Sequence, residues 1–139
     1  MSTIFVDTSA LIAIFDHRDK NHIRAKKSLE IVKRKRIKLL ISDYIFDESI
    51  TTVLSHARHD IAVEIGEFIL SSNVMELVWL NEATKKKAWE YFKRHSDKGY
   101  SFTDCTSFVL MNEKKINQYF AFDDHFNKVG FIKFPHIFG

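Results

Sequence analysis

Short apolar blocks of two kinds alternate along the chain. Thr3–Val6 is compact, apolar and rich in β-branched residues, and it stops at Asp7-Thr8-Ser9. That pattern predicts a buried strand running into a turn and a helix start. Ala10–Phe15 adds one or two helical turns, and Asp16–Asn21 is a polar connection. From His22 to Arg36, Ile23, Ala25, Leu29, Ile31 and Val32 recur among Lys and Glu, which predicts an amphipathic helix. Leu39–Ile41 predicts a second strand, with Ser42-Asp43 placed to cap a helix reaching about Arg58. A further helix over about Asp60–Leu70 and a strand at Met75–Leu80 follow. Helical spacing returns at Asn81–Arg94, breaks at Ser96–Gly99, and resumes from Ser101 to about Lys115. Tyr119–Phe122 predicts a fourth strand and Phe131–Phe134 a fifth, halted by Pro135. Strands and helices in alternation imply a parallel sheet covered on both faces, a three-layer α/β/α sandwich.

Size and composition narrow the class. At 139 residues, without repeats or low-complexity tracts, residues 1–139 read as one domain. Apolar residues make up 45% and charged residues 28%, which excludes a disordered chain. The longest apolar run, Ala10–Phe15, is far shorter than a membrane span of roughly 18 residues or more, so no membrane partner is expected. The apolar N-terminus carries Asp7 and no basic segment, unlike a secretory signal. The single cysteine, Cys105, excludes an internal disulfide and a multi-cysteine zinc site, and a reducing cytoplasm is the simplest home. Cys105, Trp79, Trp89 and the Phe clusters read as packing.

Net charge is only +3, but its distribution is uneven. Lys26, Lys27, Lys33, Arg34, Lys35, Arg36 and Lys38 form one cluster, and Lys85, Lys86, Lys87, Lys93 and Arg94 a second. Such clusters can track the phosphate backbone of a polyanion, with Lys33, Arg34, Lys35 and Arg36 the candidates. Cations near a helix C-terminus also favour its negative pole and keep the surface soluble, the stronger reading for each cluster taken alone.

The acids carry the chemistry. Ligands of open parallel sheets bind beyond the carboxyl ends of the strands. Two expected strands run directly into an acid, Asp7 and Asp123; Asp104 opens the helix before the fourth strand, and Glu48 lies early in the helix after the second. Singly, each has a plainer explanation. Asp7 fits an N-cap, Asp104 follows Ser101 at capping-box spacing, Asp123 fits a turn, and Glu48 a solvated helix face. Right-handed winding of the sheet would bring them together. Two carboxylates about 4 Å apart repel by roughly 4 kcal/mol at an effective dielectric of 20, so such a cluster requires protons or a cation. Hard oxygen ligands point to Mg²⁺ or Mn²⁺, and those ions suit hydrolysis of a phosphodiester.

Four blocks in order, Ile4–Leu11 (IFVDTSAL), Phe46–Ser49 (FDES), Ser101–Cys105 (SFTDC) and Ala121–Phe126 (AFDDHF), resemble the PIN-domain ribonucleases, and within them the VapC-type toxins. The resemblance implies a Mg²⁺- or Mn²⁺-dependent endoribonuclease, with Asp7, Glu48, Asp104 and Asp123 as the acidic quartet. Asp7, Asp104 and Asp123 would hold metal, with Asp124 the fallback for the last. Thr8 and Thr103 stand where the family often has a hydroxyl. The resemblance also implies a cognate antitoxin and, in many relatives, a homodimer. Periodicity departs from it at one point: the apolar stripe Phe46, Ile50, Val53, Leu54 and Ala57 lies nearer Asp47 than Glu48, and Glu48 is chosen by resemblance. His125 reads as structural or surface.

Other classes stay open. A PIN-like fold without activity would be an RNA- or protein-binding module. An aspartyl-phosphate phosphatase needs a second Asp two residues after Asp7, where Ser9 stands, and the acidic pair and late Lys of a receiver domain are not clean.

Overall fold

The computed structural model describes residues 2–56 and 58–135. Strands β1 (Thr3–Val6), β2 (Lys38–Ser42), β3 (Met75–Val78), β4 (Gln118–Phe120) and β5 (Ile132–Lys133) form a single all-parallel sheet in the order β3-β2-β1-β4-β5. Helices α1 (Thr8–Phe15), α2 (His22–Arg34), α3 (Asp43–Ser55) and α4 (His59–Ser71) connect β1 to β2 to β3. Helices α5 (Glu82–Arg94) and α6 (Phe102–Lys114) return the chain from β3 to β4, and the short α7 (His125–Lys128) joins β4 to β5. Since the strand order reverses after β3, right-handed crossovers put α1–α4 on one face and α5–α7 on the other. The α/β/α sandwich expected from the block pattern is the one observed.

Local chemistry explains the element ends. On α2, Ala25, Ser28, Leu29 and Val32 are buried at helical spacing, and the helix stops two residues short of Arg36. Arg36 adopts a left-handed φ of 55°, and the Ile37 N–H closes back onto the Val32 carbonyl. Ser42 caps α3 by accepting the Ile45 N–H at 3.1 Å. That helix ends at Ser55, short of Arg58; Ala57, the last of the expected apolar stripe, lies outside the described residues. β3 ends at Val78, two residues early, where the Leu80 N–H turns away to the Asp43 carboxylate. β5 covers only the centre of Phe131–Phe134, and α7 has no counterpart among the elements expected from the sequence. β4 begins at Gln118 and ends at Phe120, so Ala121 and Phe122, although apolar, lie outside the ladder. There the Phe122 N–H bonds the Ser9 hydroxyl at 2.9 Å, which draws the chain over the start of α1.

Both sheet faces are apolar. Phe5, Phe108, Tyr119 and Phe126 are all at least 98% buried, with Phe108 and Phe126 edge to face at 5.1 Å. Such aromatic pairs add about 0.5–1.5 kcal/mol beyond the area they bury. Cys105 is fully buried, as expected of packing. The two tryptophans are not: Trp79 is 74% and Trp89 51% exposed. Trp79 follows the early end of β3, and Trp89 stacks on Phe92 on the outer side of α5. Lys33, Arg34, Lys93 and Arg94 occupy the last turns of α2 and α5, the position their charge favours. Among the described residues no helix is long and apolar enough to cross a membrane.

Candidate active site

The parallel sheet aligns the carboxyl ends of its strands, and the acids gather there. Asp7 directly follows β1 at the N-cap position of α1, yet its side chain makes no capping bond and is 4% exposed. Its Oδ2 accepts a long bond from the Ser9 hydroxyl at 3.3 Å. Burial, and then the charges of Asp123, Asp104 and Glu48, hold the Asp7 carboxyl well above the ordinary aspartate value. The four acids therefore share one electrostatic environment although they come from four separate segments.

Glu48 faces this environment from α3. Its Oε1 accepts the Thr8 hydroxyl at 2.5 Å, and Thr8 in turn accepts the Ser49 hydroxyl at 3.4 Å. Burial raises the Glu48 carboxyl, the Thr8 bond pulls it down, and the charges of Asp104 and Asp123 raise it again. Asp47, which periodicity favoured, is exposed. Among the described residues of the expected apolar stripe only Val53 is buried and Leu54 is half-exposed; the buried side of α3 is Ile45, Ser49 and Val53, and Glu48 stands next to it, on the side where Ser49 meets Thr8.

Asp104 unites two readings that look like alternatives in the sequence. It completes the capping box of α6, with its N–H bonded to Ser101 Oγ at 3.0 Å and its Oδ2 accepting the Ser101 N–H at 3.1 Å. The same carboxylate, 8% exposed, looks onto Asp7. His125 Nδ1 lies 2.8 Å from Asp104 Oδ2 and its ring meets Tyr100 edge-on, so this histidine is tied to the acid cluster instead of lying loose on the surface. A histidine beside an acidic pair is the signal that could have revealed that contact.

Asp123 is half-buried and accepts the His125 N–H at 3.1 Å. Asp124 is exposed and pairs with Lys128 at 3.3 Å. Asp123 is thus the member of the pair that joins the cluster. Thr103 lies beside Asp104, with its carbonyl accepting the Thr106 and Ser107 hydroxyls. Lys33, Arg34, Lys35 and Arg36 are exposed, and residues 35–37 lead into the start of β2. That is the sheet edge opposite the acids.

The donor set is hard and anionic: carboxylates and hydroxyls, with the lone thiol pushed up to about 11, first by burial and then by Asp104. A divalent cation of the Mg²⁺ or Mn²⁺ kind fits these donors in type and charge. Among the described residues, however, no three Asp, Glu, His or Cys side chains are arranged to hold an ion as they stand. The site fits the ion in chemistry and is open in geometry.

An all-parallel α/β/α sandwich with acids from four segments at its carboxyl edge defines a class, and the chain belongs to it: the PIN domain model matches residues 4–132. Within that family the likeness is to VapC proteins. The 23S rRNA-specific endonuclease VapC20 of Mycobacterium tuberculosis is 32% identical over 130 residues, covering 94% of this chain and 96% of its own. A VapC ribonuclease of Archaeoglobus fulgidus is 27% identical over 124 residues, or 88% and 78% of the two chains. The crystal structure of M. tuberculosis VapC20, described as a Sarcin-Ricin loop cleaving toxin, superposes with a TM-score of 0.83 at 31% identity, covering 93% of this chain and 96% of that one. VapBC2 from Rickettsia felis, solved bound to a DNA fragment from its promoter, shares the fold at a TM-score of 0.69 and 13% identity, over 94% and 96% of the chains.

Proposed function

We propose that this protein is a divalent-metal-dependent endoribonuclease that hydrolyses RNA phosphodiester bonds, the toxin of a toxin–antitoxin pair. The observation that carries this reading is the gathering of Asp7, Glu48, Asp104 and Asp123 at one edge of the sheet, where their mutual field and burial hold the Asp7 carboxyl high. The VapC relatives support the choice of RNA as substrate and of toxin as role.

Asp7, Asp104 and Asp123 would hold Mg²⁺ or Mn²⁺. The bound ion supplies Lewis acidity toward the phosphoryl oxygens and neutralises charge that otherwise repels the RNA. The chain itself supplies position. Thr8 orients Glu48 through its short hydroxyl bond, with Ser49 behind it. Ser101 and His125 both bond Asp104 Oδ2, which fixes the plane of that carboxylate. Ser9 ties Asp7 to the Phe122 backbone, and so to the segment bearing Asp123. Carboxylates held by neighbours lose less freedom on meeting an ion or substrate, the usual gain of preorganised sites. A cognate antitoxin covering the acids, pairing with a second copy and residence in the cytoplasm belong to the same reading.

Purified protein should cut RNA with Mg²⁺ or Mn²⁺. EDTA, or Asp104→Asn with an unchanged circular-dichroism spectrum, should abolish cutting. Full activity in EDTA would remove the metal from the mechanism. Firm RNA binding without any cutting, under all divalent ions, would favour a binding module.

A further inference from the structure

α2 and the β4–β5 edge enclose a groove of about 710 Å³, within the usual range for ligand sites. Its walls are unevenly charged. Arg24, Lys27, Arg34 and Lys133 line it against a single acid, Glu30. Phe122 forms part of its apolar floor, with the Arg24 guanidinium and the Lys133 ammonium each 5.4 Å from the ring centroid. Among the described residues none of these four cations pairs with a carboxylate within 4.0 Å. Burial, and then the charge of Arg24, hold the Lys133 ammonium below its ordinary value, so two like charges crowd one partly dry corner. An anion placed there relieves both.

The location selects the anion. Phe122 adjoins Asp123 in the chain, so the cationic groove opens one residue from the acid cluster. A polyanion approaching four acids is repelled unless cations beside them hold it. Aromatic floor and cationic walls together match a nucleotide, with a face for the base and charges for its phosphates. An acidic peptide would use the charges and leave the ring without a flat partner.

We propose that the RNA strand flanking the cut bond lies in this groove, with phosphates on Arg24 and Lys133 and an unstacked base against the Phe122 floor. The proposal rests on the nuclease reading above and extends it: the strand runs along α2 toward Arg34, so the substrate is single-stranded or splayed open where it leaves the acids. Of the Lys33–Arg36 cluster only Arg34 lines the groove, so the principal grip moves to Arg24 and Lys133.

Binding of a fluorescein-labelled single-stranded octaribonucleotide, followed by anisotropy in EDTA across a salt series, tests this apart from cutting. Arg24→Gln/Lys133→Gln should weaken binding by about tenfold or more, and reduce the slope of log K against log salt by about 0.7 for each phosphate no longer neutralised. The charge-matched Lys86→Gln/Lys93→Gln variant should change both by much less. If the double variant does not fold, Arg24→Gln alone, at an exposed position, should still cost several-fold. Wild-type affinity and slope in a folded Arg24→Gln/Lys133→Gln protein that still cuts RNA would overturn the groove and leave the nuclease intact. The same variant losing affinity for a polyglutamate peptide but not for RNA would overturn it in favour of a protein partner. Wild-type protein that neither cuts nor binds RNA would sink both readings.

Discussion

Asp7→Asn removes an ionisable carboxyl from the most crowded point of the acid cluster while keeping the side chain's shape. Asp7 is 4% exposed, and its three acid neighbours raise its carboxyl above the ordinary aspartate value of 3.8. At an effective dielectric of 20, a single pair of like charges about 4 Å apart already costs roughly 4 kcal/mol, a large part of the roughly 5–15 kcal/mol that holds a domain folded. The raised carboxyl value means that the folded state binds a proton at Asp7 more readily than the unfolded chain does, which relieves part of that repulsion. Asparagine lifts that cost and gives back part of it through imperfect hydrogen bonding in a buried site. The variant should therefore be more stable than wild type in EDTA by about 1–3 kcal/mol, a rise of roughly 3–10 °C in melting temperature for a chain of this size. In parallel melts without EDTA, Mn²⁺ should stabilise wild type by about 2.7 kcal/mol at one hundred times its dissociation constant, and the variant far less. The sign with pH follows. Between 3.8 and the raised value the folded protein binds a proton that the unfolded chain does not. Wild-type stability in EDTA should thus rise as pH falls from neutral into that window, with no further gain below it, and the rise should shrink in Asp7→Asn. An Asp7→Asn protein that melts below wild type in EDTA would refute the claim of mutual repulsion.

Thr8→Val breaks the bond that lowers the Glu48 carboxyl; cleavage should fall about tenfold and its acid limb move to higher pH, at a stability cost near 1 kcal/mol in urea titration. Phe108→Ala empties the centre of the aromatic core and should cost about 3–5 kcal/mol by chemical denaturation. The Cys105 thiol, buried and pushed up to about 11, should resist Ellman's reagent in the native protein and react on unfolding, and Cys105→Ala should leave metal-dependent cutting intact.

Much of this was legible in the sequence, for identifiable reasons. Thr3–Val6 is apolar on every side because β1 sits at the centre of the sheet, so the strand and the acid that ends it are visible together. Asp104 is legible twice over, since its capping geometry and its place in the cluster use the same carboxylate. Glu48 was not legible from periodicity. The buried side of α3 is Ile45, Ser49 and Val53, one of them a serine, while Leu54 is half-exposed, so the apolar pattern points at Asp47 and away from the side that carries Glu48. The end of β4 was hidden because Ala121 and Phe122 remain apolar after leaving the ladder, held by Ser9 and by packing. The groove was out of reach for a different reason. Arg24 and Lys133 come from opposite ends of the chain, and only the fold brings them over one aromatic ring.

If acids distant in the chain form one pit that closes on a divalent ion, anomalous diffraction from crystals soaked in Mn²⁺ will reveal it without intermediary. A peak is expected, bounded by carboxylate oxygens of Asp7, Asp104 and Asp123 at about 2.1–2.2 Å and lost in Asp7→Asn. No peak there at saturating Mn²⁺, with the four carboxylates apart and unmoved, would show that the pit does not exist.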